Sequence, residues 1–127
     1  NMGLENRLND NVDLFSGGQR QALTLLMAVM SHPSLLMLDE HTAALDPANA
    51  DIVMKLTLKF TKEMGLTTMM VTHNMQHALE YGNRLIMMHK GKIILDISGQ
   101  EKEKLTLDDL VSKFRQLRVT NDNLILQ

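Results

Sequence analysis

Hydrophobic residues recur at helical spacing after Ser16 and then form strand-like runs, so the chain alternates between helix and strand patterns. The first pattern predicts a helix that begins after Ser16, a residue that favours the N-cap position, and that ends near Met30. The predicted buried stripe of this helix consists of four long apolar side chains: Leu23, Leu26, Met27 and Met30. Because Pro33 cannot continue a helix, a different element is expected after it.

A short strand is predicted at residues 35–38, where all side chains are apolar. A continuous run of this kind favours a strand that is buried on both faces. The run ends abruptly in two acids, Asp39 and Glu40. A second helix is predicted over residues 46–65 because it opens with Asp-Pro and closes at a glycine. The β-branched segment at residues 67–71 predicts a second strand.

The rest of the chain predicts a small antiparallel element with helices around it. A short helix is expected at residues 75–81, and strands at 84–89 and 92–97 are joined by Lys90-Gly91 as a β-hairpin. A last helix is expected through about Leu117. The order of elements indicates an α/β fold with a partly parallel sheet, flanking helices and a C-terminal β-hairpin. Since two central strands are too few for a sheet covered on both faces, the chain is expected to be part of a domain.

The composition excludes several classes of protein. Of the 127 residues, 44% are hydrophobic and 22% are charged, a balance typical of a folded domain. Thirteen Lys and Arg against fifteen Asp and Glu give a net charge of -2, which excludes a generally basic protein that coats nucleic acid. The absence of cysteine excludes disulfides, thiolate metal sites and a cysteine nucleophile. No apolar run approaches the roughly 18–20 residues that cross a bilayer.

The stretch Ser16-Gly17-Gly18-Gln19 is the first candidate for chemistry. At the start of a helix, it offers a hydroxyl and several backbone N–H groups at the positive end of the helix dipole. The two glycines allow a phosphate to approach the backbone closely. The alternative interpretation is a flexible turn with an incidental cap, because short glycine motifs carry little specificity on their own.

The acid pair that ends the first strand is the second candidate. Ligands of α/β proteins bind beyond the carboxyl ends of the strands, where Asp39 is suited to hold Mg²⁺ and Glu40 to orient an attacking water. His73 follows the second strand at the same sheet edge, where an imidazole can contact a phosphate oxygen. Each feature also has a purely structural interpretation: acidic strand ends are common, Asp46 before Pro47 is a good helix start, and a lone histidine is usually structural.

Taken in order, these stretches resemble the ATP-binding cassette (ABC) ATPases, which are P-loop NTPases. Residues 16–19 resemble the signature motif, residues 35–40 the Walker B strand with its catalytic glutamate, residues 44–46 the D-loop, and His73 the switch histidine. The resemblance extends from residue 3 to about residue 115. It implies the fold of the C-terminal part of an ABC cassette.

The resemblance also implies a division of the chain into three parts. Residues 1–33 are expected to form the end of the helical subdomain with the signature motif, and residues 34–117 the remainder of the catalytic core. Residues 118–127 are expected to be a tail.

ATP and Mg²⁺ are the cofactors that the resemblance implies. In this family, two cassettes face each other head to tail, and the signature helix of one closes over ATP bound mainly by the other. Carried onto this chain, Glu40 and His73 are the catalytic residues and Asp39 the metal ligand. The nucleotide-contacting and dimer-communicating residues are then Ser16, Gly17, Gly18, Gln19 and Asp46.

The implied function is that of an ATPase subunit of a bacterial membrane importer. Its implied partners are a second ATPase subunit and a transmembrane permease, with no nucleic acid and no membrane span of its own. The implied location is the cytoplasmic face of the cell membrane, as a peripheral protein. His41 stands where the family usually has proline, a feature similar to a subgroup of bacterial importers for which amino acids are a possible cargo.

One expected element is absent from the sequence. The 127 residues contain no G-x-x-x-x-G-K-[ST] phosphate-binding loop, which supplies most of the affinity for ATP in this family. We therefore expect the chain to be a fragment that alone neither binds ATP tightly nor hydrolyses it. We also expect an uncovered apolar sheet edge or face, and either self-association or local disorder around residues 1–15.

Three other interpretations stay open at this level. ABC-type ATPases of DNA repair share the signature and Walker B motifs, but they join their halves through long coiled coils, for which the sequence has no heptad run. The translation-factor branch usually has a different D-loop and lacks the switch histidine, in contrast to His73. A non-catalytic binding module would not explain why Asp39, Glu40 and His73 occur together.

Overall fold

A computed structural model describes the backbone of residues 3–125 and the side chains of residues 3–117. The described residues divide into two compact units, the first ending at Val71 and the second beginning at Thr72. Each unit has its own two-stranded sheet.

The first unit alternates helix and strand, as the sequence predicts. After a short 3-10 turn at Val12–Leu14 come helix α1 (Gly17–Met30), strand β1 (Leu35–Asp39), helix α2 (Pro47–Glu63) and strand β2 (Thr67–Val71). The two strands pair in parallel, with Leu35 opposite Thr67 at one end and Asp39 opposite Val71 at the other. The predicted helix and strand boundaries in this unit are confirmed to within a few residues.

One face of this sheet carries the core of the first unit. Leu25 and Val29 of α1 are buried against Leu36 and Leu38 of β1. Further apolar side chains pack against this cluster: Leu56, Phe60, Met64, Leu66 and Met70. Because α1 and α2 both contribute to the same cluster, both helices cover the same face of the sheet.

The buried stripe of α1 differs from the prediction. The buried positions are Gly18, Ala22, Leu25 and Val29. Three residues of the predicted stripe are exposed: Leu26, Met27 and Met30. Both sets of residues have helical spacing. Hydrophobicity alone predicts that the long Leu and Met side chains are buried, whereas the structure buries a face that includes the small Gly18, against which another element packs closely.

The prediction that β1 is buried on both faces is wrong for the described residues. Its side chains alternate between exposed and buried, and the outward-facing apolar residues of the two strands are 45–67% exposed: Leu35, Met37, Met69 and Val71. This apolar surface, called the outer face of the β1–β2 sheet below, confirms that an apolar sheet face is uncovered.

The second unit is built around the predicted hairpin. Its elements are α3 (Met75–Glu80), β3 (Arg84–His89), β4 (Lys92–Ser98), α4 (Gly99–Glu103) and α5 (Leu107–Ile125). Lys90 and Gly91 both have positive φ, the backbone of a tight two-residue turn between antiparallel strands.

The last helix is longer than predicted. Helix α5 runs to Ile125 instead of ending near Leu117. The prediction stopped early because the segment beyond residue 118 is rich in β-branched and Asn or Asp residues, which have low helix propensity. A helix that has already formed several turns propagates through such residues at little cost.

The core of the second unit joins the hairpin to its helices. Leu85 and Ile97 are buried together with Leu110 of α5. Lys102 of α4 is also buried, and its ammonium donates hydrogen bonds to the carbonyl oxygens of Leu79 (2.5 Å) and Tyr81 (3.2 Å). These carbonyls lie at the C-terminal end of α3, where a cation is favourable. Burial lowers the pKa of Lys102.

Candidate functional site

The N-terminus of α1 is ordered by a capping box. The Ser16 hydroxyl accepts a hydrogen bond from the backbone N–H of Gln19 (3.2 Å), and the Gln19 side-chain oxygen accepts one from the backbone N–H of Ser16 (3.0 Å). That oxygen also accepts a hydrogen bond from Arg7 (3.2 Å). The predicted N-cap role of Ser16 is confirmed, and the reciprocal bond fixes the direction in which the first N–H groups of the helix point.

The two glycines of this helix start lie against the segment around the start of α2. A Cβ atom on Gly17 would lie 3.5 Å from Cδ2 of Leu45, an ordinary contact. A Cβ atom on Gly18 would lie only 2.7 Å from Cγ and Oδ1 of Asn49 and 2.9 Å from its Cβ. Gly18 is therefore required by close packing.

Asp46 holds the start of α2 in this position. One carboxylate oxygen accepts the backbone N–H of Asn49 (3.1 Å), and the other accepts the Asn49 side-chain N–H (2.6 Å). The side-chain bond from Asn49, followed by the backbone bond, lowers the pKa of Asp46. The structure thus brings the Gly18 and Asp46 segments together through Asn49, a contact between two predicted motifs that lie far apart in the sequence.

Asp39 and Glu40 lie at the carboxyl end of β1, as predicted, and both are exposed. Glu40 has a positive φ of 43°, a left-handed backbone that is uncommon for residues other than glycine. Two backbone hydrogen bonds hold it: its N–H donates to the carbonyl of Val71 (3.0 Å), and its carbonyl accepts from Ala43 (2.9 Å). Backbone strain of this kind concentrates at functional sites.

The residue after Glu40 is tied to α2. Nε2 of the His41 ring lies 3.1 Å from the hydroxyl of Thr57, which is itself 2.9 Å from the carbonyl oxygen of Val53. Thr57 is buried at 4% exposure. The turn that begins at Glu40 is therefore fixed to the body of the first unit by a side chain as well as by the backbone.

His73 belongs to the second unit and is exposed. Two hydrogen bonds order the backbone around it. The Thr72 hydroxyl accepts one from the backbone N–H of Asn74 (3.0 Å), and the Asn74 side-chain oxygen caps α3 by accepting one from the backbone N–H of His77 (3.1 Å). These two bonds fix the backbone on the C-terminal side of His73. Its grouping with Asp39 and Glu40 at one sheet edge stays a prediction.

The described side chains can be tested for whether they would suit the magnesium ion that the resemblance implies. Among residues 3–117, no three His, Cys, Asp or Glu side chains form a group that could hold a metal ion. Mg²⁺ commonly takes only one or two carboxylates and completes its shell with phosphate oxygens and water. A single exposed carboxylate at Asp39 is compatible with that pattern.

Three residues of this region carry contacts that sequence reasoning missed: His41, Asn49 and Thr57. The only available signal was the unusual histidine after the Asp-Glu pair, because Asn49 and Thr57 lie inside an amphipathic helix and look like ordinary surface and core positions. Within the described backbone, residues 3–125, no helix is both long and apolar enough to cross a lipid bilayer.

Comparison with known sequences connects these features to a family. Residues 1–43 match the ABC transporter family. The chain is 50% identical over 113 residues to the tyrosine transport ATP-binding protein of Clostridioides difficile, covering 89% of this chain and 45% of that protein. It is 35% identical over 112 residues to the methionine import ATP-binding protein MetN 1 of Oceanobacillus iheyensis, covering 84% of this chain and 33% of that protein. The chain thus spans less than half the length of these curated relatives.

Solved structures agree with the sequence comparison. The protein cbiO1 of Clostridium perfringens, part of the ABC transporter complex cbiONQ, is 28% identical with a TM-score of 0.65, covering 91% of this chain and 45% of that one. A nucleotide-free ATP-binding cassette from an ABC transporter is 28% identical with a TM-score of 0.64, covering 76% and 38%. The chain belongs to the family of ABC transporter ATP-binding proteins and has the α/β fold of part of their cassette domain.

Proposed function

We propose that this chain carries the signature and Walker B half of an ATP-hydrolysing transporter subunit. The observation that supports this most directly is the exposed Asp39-Glu40 pair at the carboxyl end of β1, with the backbone of Glu40 held in a left-handed conformation. In the same unit, a helix with a glycine pair at its start offers N–H groups suited to a phosphate.

Each predicted site residue has a role in this proposal. Asp39 holds Mg²⁺, which neutralises charge on the transferred phosphate, and Glu40 orients the attacking water. His73 contacts the γ-phosphate, and Asp46 communicates with the second subunit. Four residues at the start of α1 contact ATP that the second subunit binds: Ser16, Gly17, Gly18 and Gln19.

The same proposal extends to partners and cargo. A second ATPase subunit and a membrane permease would complete the transporter, with this protein peripheral on the cytoplasmic side. The names of two relatives, one for tyrosine transport and one for methionine import, favour an importer whose cargo is an amino acid.

The test is ATP hydrolysis by the complete natural reading frame that contains this chain. Glu40→Gln is expected to lower kcat by roughly 10²–10⁴-fold, the contribution typical of a positioned general base, while ATP binding is retained. The 127-residue chain measured beside it is expected to be inactive, because its sequence contains no phosphate-binding loop.

Glu63→Gln is the matched control for this experiment. Glu63 is an exposed glutamate at the far end of α2, paired with Lys59 only at 4.0 Å, so its loss is expected to leave the rate unchanged. Hydrolysis by Glu40→Gln at the rate of the native protein would refute the assignment of Glu40. Hydrolysis by the 127-residue chain alone would refute the need for a phosphate-binding loop.

A further inference from the structure

The segment that follows Glu40 is fixed by a contact that the proposed function does not use. The His41 ring and the Thr57 hydroxyl are sixteen positions apart in sequence, and Nε2 lies 3.1 Å from Oγ1. Thr57 lies on the buried side of α2, between residues that pack in the interior of the first unit. The contact therefore ties a turn at the edge of the sheet to a rigid helix.

The direction of this hydrogen bond follows from counting protons. The Thr57 hydroxyl has one proton, and its oxygen lies 2.9 Å from the carbonyl oxygen of Val53, which can only accept. Giving that proton to Val53 leaves the Thr57 oxygen as an acceptor for His41. The His41 ring must then carry its proton on Nε2, in the neutral as well as in the charged form.

The neighbouring backbone explains why such a tether matters. Glu40 has a left-handed φ of 43°, a conformation that is unfavourable for a residue with a side chain unless its surroundings hold it. The backbone N–H of Glu40 donates a hydrogen bond to the carbonyl oxygen of Val71, and the carbonyl oxygen of Glu40 accepts one from the backbone N–H of Ala43. His41 follows Glu40 directly, inside the turn that the bond from Ala43 closes, so its side chain anchors the turn at a third point.

We propose that the His41–Thr57 hydrogen bond positions Glu40. His41 is thus a positioning residue, not a catalytic one. This inference rests on the proposed function, since it assumes that Glu40 acts on the attacking water. It predicts that loss of the bond lowers the rate of the chemical step more than the affinity for ATP.

The kinetic test uses variants of the complete reading frame that break the His41–Thr57 hydrogen bond. Thr57→Val keeps the shape of the side chain but removes the acceptor, and His41→Ala removes the donor. Each is expected to lower kcat about threefold to tenfold with KM for ATP within about twofold of the native value, the effect of one lost hydrogen bond. The double variant is expected to be no slower than the slower single variant, because both substitutions break the same bond.

Two kinds of control separate this effect from a general loss of structure. Thr24→Val removes a hydroxyl that makes the same kind of bond to the preceding helical turn, to the carbonyl of Arg20 at 2.9 Å, and it is expected to leave kcat unchanged. Thr57→Ser and His41→Gln retain an acceptor and a donor, so they are expected to keep at least half of the native kcat. A native kcat in Thr57→Val would overturn the inference, as would a change in KM alone.

A spectroscopic test on the 127-residue chain does not depend on activity. The His41 Nε2–H proton is expected to be visible by NMR because the hydrogen bond slows its exchange with water. It is expected to disappear in Thr57→Val and to persist in Thr57→Ser and Thr24→Val. An identical signal in the native chain and in Thr57→Val would refute the tether even if His41→Ala failed to fold.

The two proposals fail in different ways. If Glu40→Gln hydrolyses ATP at the native rate, the proposed function is wrong at Glu40, and the role assigned to His41 falls with it. If Glu40→Gln is inactive and Thr57→Val has the native kcat, only the positioning role of His41 is wrong.

Discussion

The two sheets of this chain differ in what their outward faces carry. The outer face of the β1–β2 sheet carries four exposed apolar side chains, Leu35, Met37, Met69 and Val71, with the polar Asp39 and Thr67 at its corners. The outward face of the β3–β4 hairpin also exposes apolar residues, Ile86, Met88 and Ile93, but a charged pair interrupts them. Arg84 donates two hydrogen bonds to Asp96, at 2.8 and 2.6 Å, and thereby lowers the pKa of that carboxyl.

This difference follows from the direction of the strands. Parallel sheets occur almost only where both faces are covered, so their strands carry apolar residues on both sides. An antiparallel hairpin tolerates one face in water and carries charged pairs there. The first sheet therefore has the sequence pattern of a sheet covered on both faces, although the described residues cover only one of them. The second sheet has the pattern of a sheet with one solvent-exposed face.

The largest expected effect tests the two faces of a single strand. Leu36 and Leu35 are neighbours of the same residue type, but Leu36 is 4% exposed in the core cluster and Leu35 is 47% exposed on the outer face. Leu36→Ala is expected to lower the free energy of unfolding by about 2–5 kcal/mol, the usual cost of a buried cavity. Leu35→Ala is expected to cost about 1 kcal/mol or less.

Urea unfolding of the 127-residue chain, followed by circular dichroism at low protein concentration, measures both changes. Equal losses for the two variants would mean that Leu35 is buried in solution, and the contrast between the faces would then be wrong.

The next effect tests how tightly the first unit packs its candidate site. Gly18→Ala is expected to cost about 1–3 kcal/mol of unfolding free energy, because the new Cβ overlaps Cβ and Cγ of Asn49 and not only a flexible side-chain end. Gly17→Ala, one position earlier, has room and is expected to be neutral or stabilising by up to about 1 kcal/mol, since Ala favours a helix over Gly.

Thermal or urea unfolding of both variants decides the point. Asn49→Ala in the background of Gly18→Ala is expected to recover part of the loss by making room for the new methyl group. If Gly18→Ala were as stable as Gly17→Ala, the close contact between α1 and α2 would not exist in solution.

These contrasts also show which features the sequence could predict. The caps at Ser16 and Asp46, the Lys90-Gly91 turn and the β-branched strand β2 are local, because they depend on residues a few positions apart. All of them were predicted correctly. The order of motifs that indicates the family is likewise a property of the sequence alone.

The features that could not be predicted depend on contacts between distant parts of the chain. The buried face of α1 is set by where α2 and β1 pack against it, and the approach of α2 requires the small Gly18, which hydrophobicity does not reveal. The His41–Thr57 bond joins a loop to a helix sixteen positions later. The left-handed backbone of Glu40 could not be predicted either, because glycine is the residue that usually indicates such a conformation and position 40 is a glutamate.

The smallest expected effect concerns a buried cation in the second unit, Lys102. The preceding test concerned a closely packed glycine in the first unit. Lys102 is 6% exposed, and its ammonium donates to two carbonyl oxygens at the end of α3. Lys102→Met keeps the apolar stem but removes both bonds and leaves the carbonyl of Leu79 without this donor. The expected cost is about 1–2 kcal/mol, because the lost charged hydrogen bonds outweigh the relief of not burying a charge.

Lys104→Met is the matched control, because Lys104 is exposed two positions further along and its substitution is expected to change stability by less than about 0.5 kcal/mol. Urea unfolding compares the two variants, and amide hydrogen exchange in α3 locates the change, since faster exchange is expected there in Lys102→Met alone. A Lys102→Met chain as stable as Lys104→Met would mean that the ammonium reaches water in solution. In that case, the second unit would be held by its hydrophobic cluster of Leu85, Ile97 and Leu110, without help from a buried charge.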